Sequence, residues 1–398
     1  MNPSRANWPV VAGGAITQFQ RSKDGSTWRD RAHKVALDAI ADAGLAPCDI
    51  DALIVASESD LISLQVNPAP VVASDLGLPY VSAVRVEGGG ASGALAVRTG
   101  VHHILSGLYS RVLVVGFDDA ASHLEKTGVG LVYGLSFDAE VDGFLGASAA
   151  ALYALSAAEH IRRYAGSERE LAAVAVKNRH NALSNPNAHL PMASTIEDVL
   201  ASPVVARPFN RMDCSPLSDG AAALVLTSDT GASRETRSQR IRIIASACAS
   251  DWARLGDRPE FWRYAGKSRA AAIAYEQAGI TSPEIEIDVA EVYDAFTASE
   301  IQSLEALQFA ADGQAGARIV DGDFGPDSRL PVNLSGGLLG QGGSPGAVGI
   351  AQVVTIAKLL QGVYYPDLQP RQPLRRGLAE AHGGIATINC VHILEMDE

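Results

Sequence analysis

The sequence predicts an α/β protein built from alternating strands and helices, and three observations carry that prediction. Short β-branched runs alternate with segments of helical apolar spacing in both the first and last thirds of the chain, which indicates parallel strand pairing in a layered fold. Hydrophobic residues make up 47% and charged residues 19%, enough apolar side chain for a large core and too much for a disordered chain. Two glycine segments, GGGASGALAVRTGVHHIL from Gly88 and GGSPGAVGIAQVVTIAKLL from Gly342, each end a strand and open a long helix. Two copies of one architecture are the economical reading, although any α/β chain shows some such echo.

The elements follow in order. Pro9 to Ala15 reads as a strand and turn, and Trp28 to Ala43 as an amphipathic helix with Ala32, Val35, Ala36, Ala39 and Ile40 on one face and Gly44 as its stop. Ile50 to Ala56 is a strand, Pro70 to Leu76 a short helix, Val81 to Val86 a strand, Gly88 to about Leu105 a helix, and Val112 to Val115 a buried strand. From Asp119 to Pro208 the rhythm breaks, with an Ala-rich helix within Gly143 to Ala158, and this part is expected to cover an active face. After the strand Ala221 to Leu226 and a polar linker, Ser228 to Gln239, the rhythm returns. Ile241 to Ala247, Ile285 to Val292 and Leu330 to Asn333 read as strands. Ser268 to Ala278, Ala298 to Phe309 and Ala351 to Leu360 read as helices, with a glycine loop from Gly340 to Gly349.

The 398 residues allow two or three domains of ~150 residues or one composite unit. We divide them into an N-terminal half, 1–235, including the covering region 119–208, and a C-terminal half, 236–398. Thirty-two Lys and Arg against 45 Asp and Glu leave a net charge of −13, which argues against a nucleic-acid partner. The N-terminus shows no signal peptide, and the uncharged run Leu330 to Ala357 carries two prolines and seven glycines, so no membrane span is expected. Cys48, Cys214, Cys248 and Cys390 are scattered, which reads as reduced thiols in a cytoplasmic protein. The pair His102-His103 has no Cys, Asp or Glu at ligand spacing, so no metal site is expected. The glycine loops do not satisfy the dinucleotide fingerprint in its strand–helix context, so no nicotinamide cofactor is expected either.

Six segments then carry a resemblance: GGGASG from Gly88, NRHNALSNPNAH from Asn178, DCSPLSDGAAALVLT from Asp213, EVYDAFTASEIQSLEALQF from Glu291, VNLSGGLLGQGGSPGAVG from Val332 and AHGGIATINCVHIL from Ala381. In this order they resemble the thiolase superfamily over nearly the whole chain, most closely the branch related to sterol-carrier-protein-X thiolases. The resemblance implies a duplicated, five-layered α/β/α/β/α fold, a homodimer and a coenzyme A thioester as substrate, with no other cofactor. It also implies where chemistry has been lost. The position of the nucleophilic Cys is Gly90, that of the activating His is Gly343, and the second Cys falls about Gly383 or Gly384. Ordinary acyl transfer through an acyl-enzyme is therefore not supported.

What replaces it is Tyr293, in Val-Tyr-Asp-Ala-Phe, which is similar to the Tyr-Asp-x-Phe of thiolase-like aldolases that cleave steroid side chains as β-hydroxyacyl-CoA esters. By that resemblance Tyr293 is the base at the β-hydroxyl, backbone N–H groups near Gly90 and Gly384 hold the thioester oxygen, Gly89 and Gly343 join them in the oxyanion and substrate-binding set, and Gly90 and Gly343 widen the pocket in place of larger side chains. Those aldolases carry a second Tyr where this chain has Gly343, so Ser344, Gln341, His382 or a bound water are the candidates for the missing proton donor, and Asp294 is a further catalytic candidate. Four residues have a bland alternative: Tyr293 as a core tyrosine, Asp294 as the cap of the helix that follows, His382 as a hydrogen-bonded loop residue, and Ser344 as a loop start or cap. The expected activity is retro-aldol cleavage of a bulky β-hydroxyacyl-CoA to a ketone or aldehyde plus acetyl- or propionyl-CoA. A thiolase-like acyltransferase of unusual mechanism and a non-catalytic acyl-CoA or lipid-binding subunit are the alternatives. The relatives commonly pair with a small OB-fold protein carrying a zinc ribbon, which this chain does not contain.

Overall fold

The computed structural model describes residues 7–123, 126–228 and 240–397. The linker expected after Ser228 and the boundary at 235 fall outside the described residues. Among the described residues nine strands form one sheet: β1 (Val10–Ile16), β2 (Ala52–Ala56), β3 (Ser82–Val86), β4 (Arg111–Asp119), β7 (Asp219–Thr227), β8 (Ile241–Ser250), β9 (Val289–Glu291), β10 (Arg376–Gly383) and β11 (Ile388–Met396). β5 (Val204–Ala206) and β6 (Phe209–Asn210) form a separate small ribbon.

The strand order β3-β2-β4-β7-β1-β8-β11-β10-β9 shows the duplication directly. In the first half β3, β2 and β4 run parallel while β7 and β1 are antiparallel additions. In the second, a bridge at Val332 and β9 and β10 run parallel, with β11 and β8 added antiparallel. The halves meet where β1 pairs with β8, Val10 opposite Arg242 and Val11 opposite Ile241.

Side chains alternate between the faces of each strand, which makes the layers. On β2 and β4, Leu53, Val55, Leu113 and Val115 pack under the outer helix Trp28–Asp42 through Ala32, Val35, Ala36 and Ile40. Their neighbours Ile54, Val112 and Val114 face the opposite way, into a core shared with Ala379 and Leu394 of the other half. Between them run the two equivalent helices, Ser92–Leu105 and Pro345–Leu360, both buried along most of their length. They touch at glycines: a Cβ on Gly349 would lie 2.3 Å from Ala94 N, and one on Gly93 would lie 2.8 Å from Gly346 O. On the far side the helices Ala265–Ala278 and Thr297–Ala306 cover β8, β10 and β11. The five layers that the resemblance implies are thus formed. No described helix is long and apolar enough to cross a membrane.

Several boundaries move. The stretch expected as a glycine loop from 340 to 349 contains the start of a helix, because Pro345 opens Pro345–Leu360 at its first position. The strand expected over Ile285 to Val292 is only Val289–Glu291, preceded by a helical turn at Pro283–Glu286. Within 119–208 the helices Ala149–Tyr164 and Glu168–Ala182 pack against the helix Thr297–Ala306.

Candidate active site

Two glycine turns face each other where β10 ends and the central helix begins. In the first, Gly89 has φ 59°, and the Ser92 hydroxyl donates to Gly89 O at 2.7 Å while accepting from Gly88 N at 2.9 Å. In the second, Gly384 and Ala386 take φ of 58° and 49°. Arg258 holds this turn, donating to Ile385 O at 2.6 Å and Thr387 Oγ1 at 3.0 Å, and Tyr153 donates to Gly384 O. A Cβ on Gly383 would lie 2.0 Å from Gly88 O, so the two turns approach this closely only because that position bears no side chain. Glu58, Glu87, Ser136 and Thr387 complete the walls of a cleft of about 280 Å³ beside them.

Tyr293 follows β9, its N–H donating to Glu380 Oε2 at 3.1 Å. Its hydroxyl reaches the base of the glycine turns: a Cβ on Gly90 would lie 2.5 Å from Tyr293 Oη and 2.5 Å from His382 O. The phenol therefore occupies the space in which any side chain at position 90 would begin. The residue is 6% exposed, and its hydroxyl makes no hydrogen bond among the described residues. Burial, followed by the carboxyl groups of Glu58, Asp118, Asp294 and Glu380, pushes its pKa well above that of an ordinary phenol. Tyr293 is accordingly a neutral phenol at physiological pH. It can donate a hydrogen bond, and it can accept a proton only while its own leaves.

His382 lies against Tyr293, ring centroids 4.7 Å apart, and is fully buried. Its Nδ1 is 3.0 Å from Lys267 Nζ and its Nε2 is 3.0 Å from Tyr153 Oη. Because ammonium only donates and Tyr153 already donates to Gly384 O, the assignment that satisfies all groups is a neutral ring with the proton on Nε2. Burial and then Lys267 push its pKa down to about 4, in agreement. Beneath it Lys267 and Glu380 form a buried ion pair at 2.8 Å, and Lys267 also donates to Ser303 Oγ at 2.6 Å. Burial alone would raise Glu380, but the Lys267 ammonium brings it down to about 2. His382 is thus a brace between Tyr293 and the Gly384 turn, with both ring nitrogens engaged.

Of the expected site residues, Gly89 and Gly384 line this cleft, Gly90, Tyr293 and His382 adjoin it behind the glycine turns, and three lie apart. Asp294 does not cap the helix that follows it. Its carboxylate accepts from Leu338 N at 2.6 Å, Leu339 N at 3.2 Å and Asn178 Nδ2 at 2.7 Å, anchoring the start of the short helix Gly337–Gly340 instead. Ser344 does sit at the N-cap of Pro345–Leu360, but its hydroxyl donates to Gly220 O at 3.0 Å and it is fully buried. Gly343 cannot hold an oxyanion by its backbone, since its N–H donates to Pro216 O at 3.0 Å. A Cβ there would meet Pro216 O at 3.0 Å, so that position opens toward the 215–217 strand bridge and not toward Tyr293. The structure does bring together Tyr293, His382, Gly89, Gly90 and Gly384.

Sequence reasoning missed Glu58, Ser136, Tyr153, Lys267 and Glu380. Glu58, like Glu87, carried a usable signal, a carboxylate just past the C-terminal end of a parallel strand, where α/β sheets build their sites. None of the four cysteines lines the cleft; Cys248 and Cys390 stand opposite each other on β8 and β11.

Comparison with known proteins places this geometry. Residues 10–230 match the model of the thiolase N-terminal domain and residues 247–396 that of the thiolase C-terminal domain-like family. The chain is 35% identical over 386 residues to an acetyl-CoA acetyltransferase of Methanothermobacter thermautotrophicus, covering 95% of this chain and 98% of that protein. It is 30% identical over 368 residues to the 17-hydroxy-3-oxo-4-pregnene-20-carboxyl-CoA lyase of Mycobacterium tuberculosis, covering 87% and 90%. Among solved structures, an Ltp2-ChsH2(DUF35) aldolase superposes with a TM-score of 0.84 at 25% identity, covering 100% of both chains. With both halves matched and relatives of this identity aligned end to end, the chain belongs to the thiolase family.

Proposed function

We propose that this protein is an acyl-CoA carbon–carbon lyase that cleaves a bulky β-hydroxyacyl-CoA, of steroid or aromatic side chain, by a retro-aldol reaction. The products are a ketone or aldehyde and acetyl- or propionyl-CoA, with no covalent acyl-enzyme and no cofactor beyond the coenzyme A ester. The observation that carries this reading is Tyr293 Oη standing where a nucleophile's side chain at Gly90 would begin. A thiolase fold that puts a phenol in place of its thiol keeps proton transfer and gives up acyl transfer.

The reaction needs the thioester oxygen held while the Cα–Cβ bond breaks, and the proton of the β-hydroxyl removed. Backbone N–H groups at the apposed turns of Gly89, Gly90 and Gly384 serve the first need, and Tyr293, backed by His382, serves the second. The electron pair of the Cα–Cβ bond passes into the thioester as an enolate, and the hydroxyl-bearing carbon leaves as a carbonyl. The lyase of Mycobacterium tuberculosis and the Ltp2 aldolase among the similar proteins support this reading. The Ltp2 aldolase is paired with ChsH2, of the DUF35 type, which supports a separately encoded OB-fold, zinc-ribbon partner here. A cytoplasmic homodimer completes the proposal.

The acetyltransferase relatives favour acyl transfer as the second reading. The test is incubation with a β-hydroxyacyl-CoA, with and without the candidate partner. Carbonyl product in equal amount to acetyl- or propionyl-CoA supports the lyase. Acyl transfer to free coenzyme A with no carbonyl product supports the acetyltransferase, and saturable ester binding with no turnover supports a binding subunit.

A further inference from the structure

The neutral state of Tyr293 leaves the lyase chemistry one group short. A phenol held above its ordinary pKa cannot keep the proton of the β-hydroxyl; it must pass one on as it takes one. The enolate in turn needs a proton at its α-carbon before acetyl- or propionyl-CoA can leave. Both needs are met by a single carboxylate in the cleft that is ionised at the start and protonated midway.

Glu58 is placed for that. It sits in the turn after β2, lines the cleft together with Gly89, Ser136 and Gly384, and is 6% exposed. One carboxylate oxygen, Oε1, accepts from Ser136 Oγ at 3.2 Å, while Oε2 is buried with no hydrogen-bond partner among the described residues. The Tyr133 hydroxyl is buried beside the same carboxylate, close enough to favour its charged form, although neither Oε2 nor Tyr133 Oη meets hydrogen-bond geometry. A buried carboxylate oxygen left unpaired costs stability unless something it meets in function makes up the loss. Among the described residues neither a lysine nor an arginine pairs with Glu58, in contrast to Glu380, whose charge is held by Lys267. The groups facing it are acidic or neutral: Glu87 at the end of β3, Asp118 on β4, Tyr133 in the covering region and Tyr293 after β9.

We propose that Glu58 is the second catalytic group of this site, the carboxylate that receives the β-hydroxyl proton relayed through Tyr293 and returns it to the α-carbon of the enolate. The inference rests on the lyase reading and deepens it. The balance closes without any co-reactant. The O–H bond breaks and its proton reaches Glu58; the oxygen's electron pair forms the carbonyl; the Cα–Cβ pair becomes the enolate. A new Cα–H bond then forms with the Glu58 proton, which restores the carboxylate. Burial raises the Glu58 pKa to about 7, so both forms are accessible near neutrality.

The test compares the full-length wild type with Glu58→Gln and Glu58→Asp. Two readouts are taken: cleavage of a β-hydroxyacyl-CoA across pH ~5.5 to ~9, and exchange of the α-protons of acetyl-CoA or propionyl-CoA with D2O by NMR. In the wild type kcat is expected to rise with pH through one ionisation near 7. Glu58→Gln is expected to lose cleavage and exchange by at least ~100-fold, to bind the CoA ester with unchanged affinity, and to show no ionisation near 7 in its residual rate. Glu58→Asp is expected to recover part of both. Wild-type rates in Glu58→Gln, or the same ionisation persisting in it, overturn the assignment of Glu58. Absence of carbonyl product from the wild type overturns the lyase reading instead, and the exchange readout then decides Glu58 separately.

Discussion

Tyr293 and Gly90 occupy one volume, and that exclusion governs what substitutions at the centre can do. Gly90→Cys places a Cβ 2.5 Å from both Tyr293 Oη and His382 O. It is expected to lower stability by ~1–3 kcal/mol through overpacking and to abolish cleavage without creating acyl transfer, as a melting curve and a product assay will show. Tyr293→Phe keeps the packing and removes only the hydroxyl, so turnover is expected to fall at least ~100-fold with the melting temperature and CoA-ester affinity nearly unchanged. Glu58 makes a prediction of opposite sign for stability. Its folded pKa lies above its unfolded value of 4.5, at about 7, so the folded state binds the extra proton between those values and stability falls as pH rises through that window. Above pH ~7 the cost is ~3 kcal/mol. Glu58→Gln is expected to melt higher than wild type at pH ~8, with the gap closing by pH ~5. A purely structural carboxylate would show the reverse.

The motif residues were legible because the chain places them at strand ends and helix starts, and misassigned where a side chain reaches across to another element. Asp294 and Ser344 are adjacent in sequence to helices, which is all a local pattern can register. Asp294 in fact anchors a helix some forty residues on, through Leu338 N and Leu339 N. Asp294→Ala is therefore expected to destabilise the protein by ~1–3 kcal/mol, read as a lowered melting temperature, because three donors lose their acceptor. The central helix pair is the element most dependent on glycine. Gly349→Ala brings a Cβ 2.3 Å from Ala94 N, and it too is expected to melt lower. Strands β10 and β11 escaped the sequence reading, because Glu380, His382, Asn389 and His392 interrupt their apolar pattern. All four are buried, and the contacts that make their burial tolerable come from Lys267, Tyr153 and the backbone at Ala386 and Ala94. Long-range pairs of that kind leave no periodicity in the chain.

At the scale of the whole molecule, the glycine surplus and the repeated strand–glycine–helix motif were enough to read a duplicated α/β fold, and the strand order confirms it element by element. The duplication also explains why the cleft is where it is. The central helix of one half begins at Gly88–Gly90, and the turn that opposes it, Gly383–Thr387, belongs to the other half. A site made at that junction draws its phenol, His382 and Glu380 from the second half and Glu58 from the first, with Ser136 and Tyr153 supplied by the region that covers it. The direct test of the central claim is product analysis on a β-hydroxyacyl-CoA by mass spectrometry, comparing wild type with Tyr293→Phe. The account predicts carbonyl product and acetyl- or propionyl-CoA in equal amounts from the wild type, and neither from the variant. Acyl transfer to free coenzyme A with no carbonyl product, or full cleavage by Tyr293→Phe, would contradict it.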